Sequence, residues 1–165
     1  MRAFADRAGA VYALYRSASE IVNRDIYLLR SEDQGRSFRG VNLHPWNVGQ
    51  CVMSTEAFAE GAGGVLAAWE TKGQVYWSWV NRASPVAAPG AGEGRKHPVV
   101  AANAQGKVIL AWTEGMGWKK GGSLAWQVFD KNGAPAGEIG RADGVPAWSL
   151  VAVYARPDGG FTVVY

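Results

Sequence analysis

Cysteine is nearly missing from this chain of 165 residues: Cys51 stands alone, so no intrachain disulfide can form. Histidine is as scarce, with only His44 and His97. No apolar run is long enough to cross a bilayer, and no segment keeps a 3.6-residue period, residues 17–23 having room for one helical turn at most. Charged residues are 19% of the chain and their balance is +3, too small and too dispersed to form a nucleic-acid surface. Neither nucleic acid nor a membrane is therefore expected as a partner. The residues after Met1, Arg2-Ala3-Phe4-Ala5-Asp6, contain no apolar signal core, so no leader is read here and the compartment is left open.

Glycine and tryptophan are abundant instead, with 22 and 8 copies, and 48% of the chain is hydrophobic. That balance suits short strands joined by tight turns around a buried core. A repeat organises them. Gly9 leads six residues later to Tyr15, Gly63 to Trp69, Gly106 to Trp112 and Gly159 to Tyr165, with successive glycines 54, 43 and 53 residues apart. The intervening runs, such as Val65-Leu66-Ala67-Ala68 and Val108-Ile109-Leu110-Ala111, are nearly all apolar, as in strands covered on both faces. Each is preceded by a short strand, at 3–5, 55–59, 99–103 and 150–155. Third strands are read at 25–30, 74–80 and 124–129, and fourth strands at 37–43, 86–88 and 134–139. Spacings of this length match one four-stranded unit of a radial array.

The first unit's third strand runs into Ser31-Glu32-Asp33-Gln34-Gly35-Arg36-Ser37-Phe38. Asp33 is suited to accept hydrogen bonds from its own turn, Gly35 to take a positive φ, and Ser31 to brace the loop. Phe38 is expected to fold under the sheet as a plug. Ser31, Asp33, Gly35, Ser37 and Phe38 together resemble the Asp-box of sialidases and other BNR-repeat β-propellers, Ser/Thr-x-Asp-x-Gly-x-Ser/Thr-Trp/Phe. In the third unit Phe129-Asp130-Lys131-Asn132-Gly133 keeps the turn without the serine or the closing aromatic, and in the second 81–85 has no box. The resemblance implies an all-β, sialidase-like β-propeller fragment of about three and a half four-stranded antiparallel blades, at 1–48, 49–94, 95–145 and 146–165. Further blades or a partner chain would be needed to cover the open edges. A secreted or periplasmic parent would suit the family.

Propeller topology would put the second-to-third-strand loops and the inter-blade loops on one face, where ligands bind, and the Asp-box on the other. The ligand face then carries 16–25, 44–51, 70–73, 90–97, 114–122 and 141–148, and with them Arg16, Arg24, Arg95 and Arg141. Sialidases hold a sugar carboxylate with three arginines, attack with a tyrosine activated by a glutamate, and protonate with an aspartate. The Arg-Ile-Pro motif of that family is absent and no Tyr/Glu pair is assigned, so no catalytic residue carries over. Glu70 and Glu114, following repeated tryptophans, are the candidates for a carboxylate pair, against a reading as solvated loop residues. Trp46 and Trp118 are suited to stack on sugar rings while Arg16, Arg95, Lys96, Lys119 or Lys120 meets an anionic group. Trp77, Trp79, Trp112 and Trp126 alternate within strands and read as packing. His44, Cys51 and His97 fit no metal spacing, and Gly90-Ala91-Gly92-Glu93-Gly94 lacks the helix and Lys-Ser/Thr of a phosphate loop, so neither metal nor cofactor is expected. A glycan or anionic small molecule is the expected ligand, bound with or without hydrolysis. A non-catalytic scaffold for partner proteins is the alternative.

Overall fold

A computed structural model describes residues 1–82, 84–91 and 94–165. Ala83, within the box-less turn 81–85, and Gly92 and Glu93, within the rejected phosphate loop, lie outside the described residues. Among the described residues the chain is all β, with no helix and hence none long and apolar enough to cross a membrane. Its strands form four antiparallel sheets of four, four, four and two strands, each a simple meander in chain order. The first comprises β1 (Arg2–Ala5), β2 (Val11–Arg16), β3 (Ile26–Ser31) and β4 (Arg39–His44). The second comprises β5 (Ala57–Gly61), β6 (Gly64–Thr71), β7 (Gln74–Trp79) and β8 (Val86–Ala87). The third comprises β9 (Arg95–Ala102), β10 (Val108–Glu114), β11 (Gly122–Phe129) and β12 (Gly140–Val145), and the last pairs β13 (Ala152–Ala155) with β14 (Phe161–Val164).

Local chemistry sets the hairpins. Asp6, Asn103 and Asp130 each accept backbone N–H groups two and four residues ahead, from Ala8 and Ala10, Gln105 and Lys107, and Asn132 and Ala134. The glycine three residues after each of them takes a positive φ, as a type I turn closed by a glycine bulge requires. The second sheet departs from this. Gly61 pairs directly with Gly64 across a two-residue turn, and Gly63 is needed for the ring of Trp79, which a Cβ there would meet at 2.8 Å.

Because side chains alternate across a strand, β6 and β10 bury both faces. Leu66 and Ala68 pack with Trp77, Val108, Leu110, Trp112 and Phe129 between the second and third sheets. Ala67 and Trp69 pack with Leu14, Ile26 and Leu28 between the first and second, and Ala111 with Leu124, Val145 and Val151 towards the fourth. Trp69, Trp77 and Trp112 are wholly buried, each removing roughly 200 Å² from water, about 5 kcal/mol of transfer free energy. Trp126 is half-buried over Gly140, its cross-strand partner, whose missing side chain makes room for the indole.

Three expectations need correction. The segment 134–139 is not a regular strand: Pro135 bridges Phe129, but Gly137 at φ +91° breaks the ladder, so β12 resumes only at Gly140 and takes Arg141 out of the loops. β9 begins four residues earlier than read, at Arg95, because Arg95 and Lys96 pair with Glu114 and Thr113 across a bulge. Phe38 is 44% exposed and is no plug, since it precedes the exposed first half of the outer strand β4, Arg39–Asn42; its ring turns back towards Gly35 instead.

Candidate functional site

Two arginine-carboxylate knots mark the ends of β6 and β10. Arg16, the last residue of β2, donates from Nη2 to Glu70 Oε2 at 2.9 Å and from Nη1 to the Arg24 carbonyl at 3.0 Å, while its guanidinium lies 5.2 Å over the Trp46 ring. The other oxygen of Glu70 accepts the Gly73 N–H at 2.8 Å. Burial pushes the Glu70 carboxyl up, and the opposing pull of Gly73 and Arg16 does not cancel it; burial likewise lowers Arg16. In the second knot Arg95, buried, donates to Glu114 Oε1 at 3.2 Å, Gln74 Oε1 at 2.9 Å and the Pro89 carbonyl at 3.1 Å, and its guanidinium lies 5.0 Å over Trp112. Trp112 Nε1 donates to the same Glu114 oxygen at 2.9 Å, and Arg141 pairs with the other. Burial raises Glu114, but the hydrogen bonds from Trp112 and Arg141 and the charges of Arg141 and Arg95 outweigh it and leave it lowered.

All four carboxylate oxygens of Glu70 and Glu114 thus meet fixed donors, and Arg16 and Arg95 spend their nitrogens inside the protein. This is how strands of neighbouring sheets are clamped, and it leaves little for a ligand.

A different place is open. A groove of about 410 Å³ is lined by Cys51, Met53, Lys96, His97, Met116, Trp118, Trp148 and Leu150 among others. Trp118 and Trp148 are 72% and 63% exposed and meet edge to face at 4.6 Å between centroids. Their backbones explain this exposure. Trp118 and Lys119 form the tip of a turn closed by Gly117 and Lys120, and Lys119 has φ +55°. Trp148 itself has φ +67°, inside a turn in which Ser149 donates to the Pro146 carbonyl at 3.1 Å. His97 has φ +53° at the β9 bulge, held by its N–H to Ser54 Oγ at 3.1 Å and by its Nδ1 against Thr55 Oγ1 at 3.3 Å. Left-handed backbone at three side-chain-bearing residues around one groove is strain concentrated in one place. Burial, then Lys96, lowers the His97 imidazole, which keeps the ring neutral.

Of the residues singled out in the sequence, Trp118 and Lys96 line the groove, and Lys119 stands at its turn. Trp46 does not line it; its N–H donates to Asp25 at 2.8 Å beneath Arg16. His44 packs on Tyr76 and accepts the Trp69 indole N–H at 2.8 Å, a core contact away from Cys51 and His97. Trp148, Met53 and Met116 were missed. Only the left-handed turn after Pro146 exposes Trp148, and a lone Pro-Ala-Trp does not announce it.

Ser31, Asp33, Gly35 and Ser37 form a closed hydrogen-bonded turn. Ser31 Oγ donates to Asp33 Oδ1 at 2.7 Å and accepts the Gly35 N–H at 2.8 Å, and Asp33 accepts the Ser37 N–H at 2.8 Å and the Ser37 hydroxyl at 2.6 Å. The Ser37 hydroxyl and N–H, then the Ser31 hydroxyl, hold Asp33 down at about 2. Gly35 has φ +85°. These bonds engage both Asp33 oxygens and the Ser31 and Ser37 hydroxyls within the turn, beside an open cavity of about 400 Å³ lined by Arg30, Glu32, Asp33, Ser37 and Arg39. Compared with protein-family models and with curated proteins, the chain matches none.

Proposed function

We propose that the four sheets are consecutive blades of an Asp-box β-propeller of the sialidase-like kind, and that the chain binds a glycan at the groove beneath Trp118 and Trp148. The propeller reading is supported by the inner strands. β1, β5, β9 and β13, the first of each sheet, line one open cavity through Phe4, Phe58, Val99 and Val153, and successive sheets pack face to face. The Asp-box turn at Ser31–Ser37 adds the motif-level support.

The glycan reading rests on one observation: two exposed tryptophans at left-handed turns, at Lys119 and Trp148, over a groove lined mainly by apolar side chains. Exposed aromatic faces stack on the C–H faces of sugar rings, and a large exposed apolar patch with a few polar groups is the ordinary form of a small-molecule site. The described lining residues include Lys96 and no carboxylate, which favours a neutral or acidic sugar. Hydrolysis is the less favoured reading, because Glu70 and Glu114 are engaged by arginines, an indole and a backbone N–H. A scaffold for partner proteins is the reading that remains if no sugar binds.

A glycan array and a fluorogenic sialoside assay test this together. Binding without turnover is expected, and Trp118→Ala or Trp148→Ala should each weaken it about tenfold, near 1.4 kcal/mol. Undiminished binding by the double variant would remove the groove from the account. Turnover abolished by Glu70→Gln would replace binding with catalysis.

A further inference from the structure

The chain has one cysteine, two histidines and three methionines. Cys51, His97, Met53 and Met116 line the same groove, so the sole thiol, one of two imidazoles and both methionines beyond the first face one space. Cys51 and Met53 are exposed while Val52 between them is half-buried, and both line the groove. An exposed methionine, 59% accessible at Met53, contributes little to packing where it is. Met116 reaches the groove from the β10–β11 loop while its stem packs on the core under Ala111 and Leu124. His97 engages Thr55 through Nδ1, which fixes the ring and leaves Nε2 as its other nitrogen, the arrangement by which metal-binding imidazoles are oriented.

We propose that these four side chains bind a soft monovalent metal ion, Cu(I), in the groove. Thiolate and thioether ligands select Cu(I), whereas Mg²⁺, Ca²⁺ and Mn²⁺ require oxygen donors, and the described lining residues offer no carboxylate. Among the described residues no three His, Cys, Asp or Glu side chains are grouped to hold a metal, so a harder ion finds no competing cluster. Charge agrees. Binding converts the Cys51 thiol and Cu(I) into a thiolate complex with release of one proton, a neutral product beside Lys96, where a divalent ion would leave excess positive charge. The inference does not depend on glycan recognition, and its readout is metal competition.

The full chain is titrated with Cu(I) under anaerobic conditions, with ascorbate as reductant and bicinchoninate as competing chelator. The expected result is withdrawal of one equivalent of Cu(I) from the chelator, with quenching of tryptophan fluorescence from the neighbouring Trp118 and Trp148. Cys51→Ser, His97→Gln and the Met53→Leu/Met116→Leu double variant should each weaken binding by about tenfold or more with unchanged circular dichroism. Retention of all Cu(I) by the chelator overturns the site. So does a double methionine variant that binds as tightly as the parent, which would reduce the interaction to a bare thiol, and so does Zn²⁺ binding as tightly as Cu(I). A chain that binds no glycan but competes for Cu(I) removes the sugar reading alone.

Discussion

At the scale of single residues, Asp33 carries a charge that its own turn holds in place. Its carboxylate accepts three hydrogen bonds within a turn of seven residues, and the Ser37 hydroxyl is the largest reason for its pKa falling from 3.8 to about 2. A carboxylate lowered on folding stabilises the folded state above its unfolded pKa and loses that contribution as pH falls through the folded value. Asp33→Asn keeps the shape and removes the charge. Melting temperatures of the two proteins should therefore differ at pH 7 and converge between about pH 4 and pH 2. A gap that stays constant across that window would mean that the charge plays no part. The hydrogen-bonded turn was legible because it is local: four residues, Ser31, Asp33, Gly35 and Ser37, each bonding within the same turn. Phe38 was not, since whether an aromatic plugs a sheet depends on what lies above β4, and no residue near it carries that information.

At the scale of elements, the arginines read as ligand contacts turn out to fasten strands. Arg95 joins the start of β9 to Glu114 at the end of β10 and to the carbonyls of residues 88–90, which follow β8. Lysine has a single nitrogen and no planar fork, so Arg95→Lys leaves several of these acceptors buried without a donor. Urea denaturation should show a loss of about 2 kcal/mol or more, and Arg95→Ala about 3–5 kcal/mol. A change below about 0.5 kcal/mol in the lysine variant would show that water reaches the knot. Strand order and most strand positions followed from the glycine-to-aromatic spacing, because apolar runs such as Val108–Leu110 have no other use. The span of β9 did not, since Arg-Lys-His is charged and polar and extends only because β10 offers it a bulged partner. Nor did the start of β12, which Gly137 postpones. The groove was half legible: Trp118 sits in a glycine-flanked loop, but the lining it shares with Cys51 and Met53 joins residues more than sixty apart in the chain.

At the scale of the whole molecule, stability is graded along the row of sheets. β6 and β10 are covered on both faces, and the largest cluster, with Trp77, Trp112 and Phe129, lies between the second and third sheets. The first sheet leaves Tyr15 stacked on Tyr27 at 5.6 Å on its outer side, and β4 is exposed along most of its length. The last sheet has two strands, with Tyr154 and Val164 exposed. Where units stack in a row, each contributes its own stability plus its contacts with neighbours, and units with one contact open first. Hydrogen exchange followed by mass spectrometry should therefore find the slowest amides at Leu66, Ala67, Ala68, Ile109, Leu110 and Ala111, whose exchange requires the central pair of sheets to separate. Amides of β13, β14 and β4 should exchange at much lower opening free energy, and those of β2 and β3 in between, because Arg16–Glu70 and the Leu14–Trp69 cluster tie the first sheet to the second. Equal protection in all four sheets would contradict this gradation. It would mean that the sheets open together as one cooperative unit.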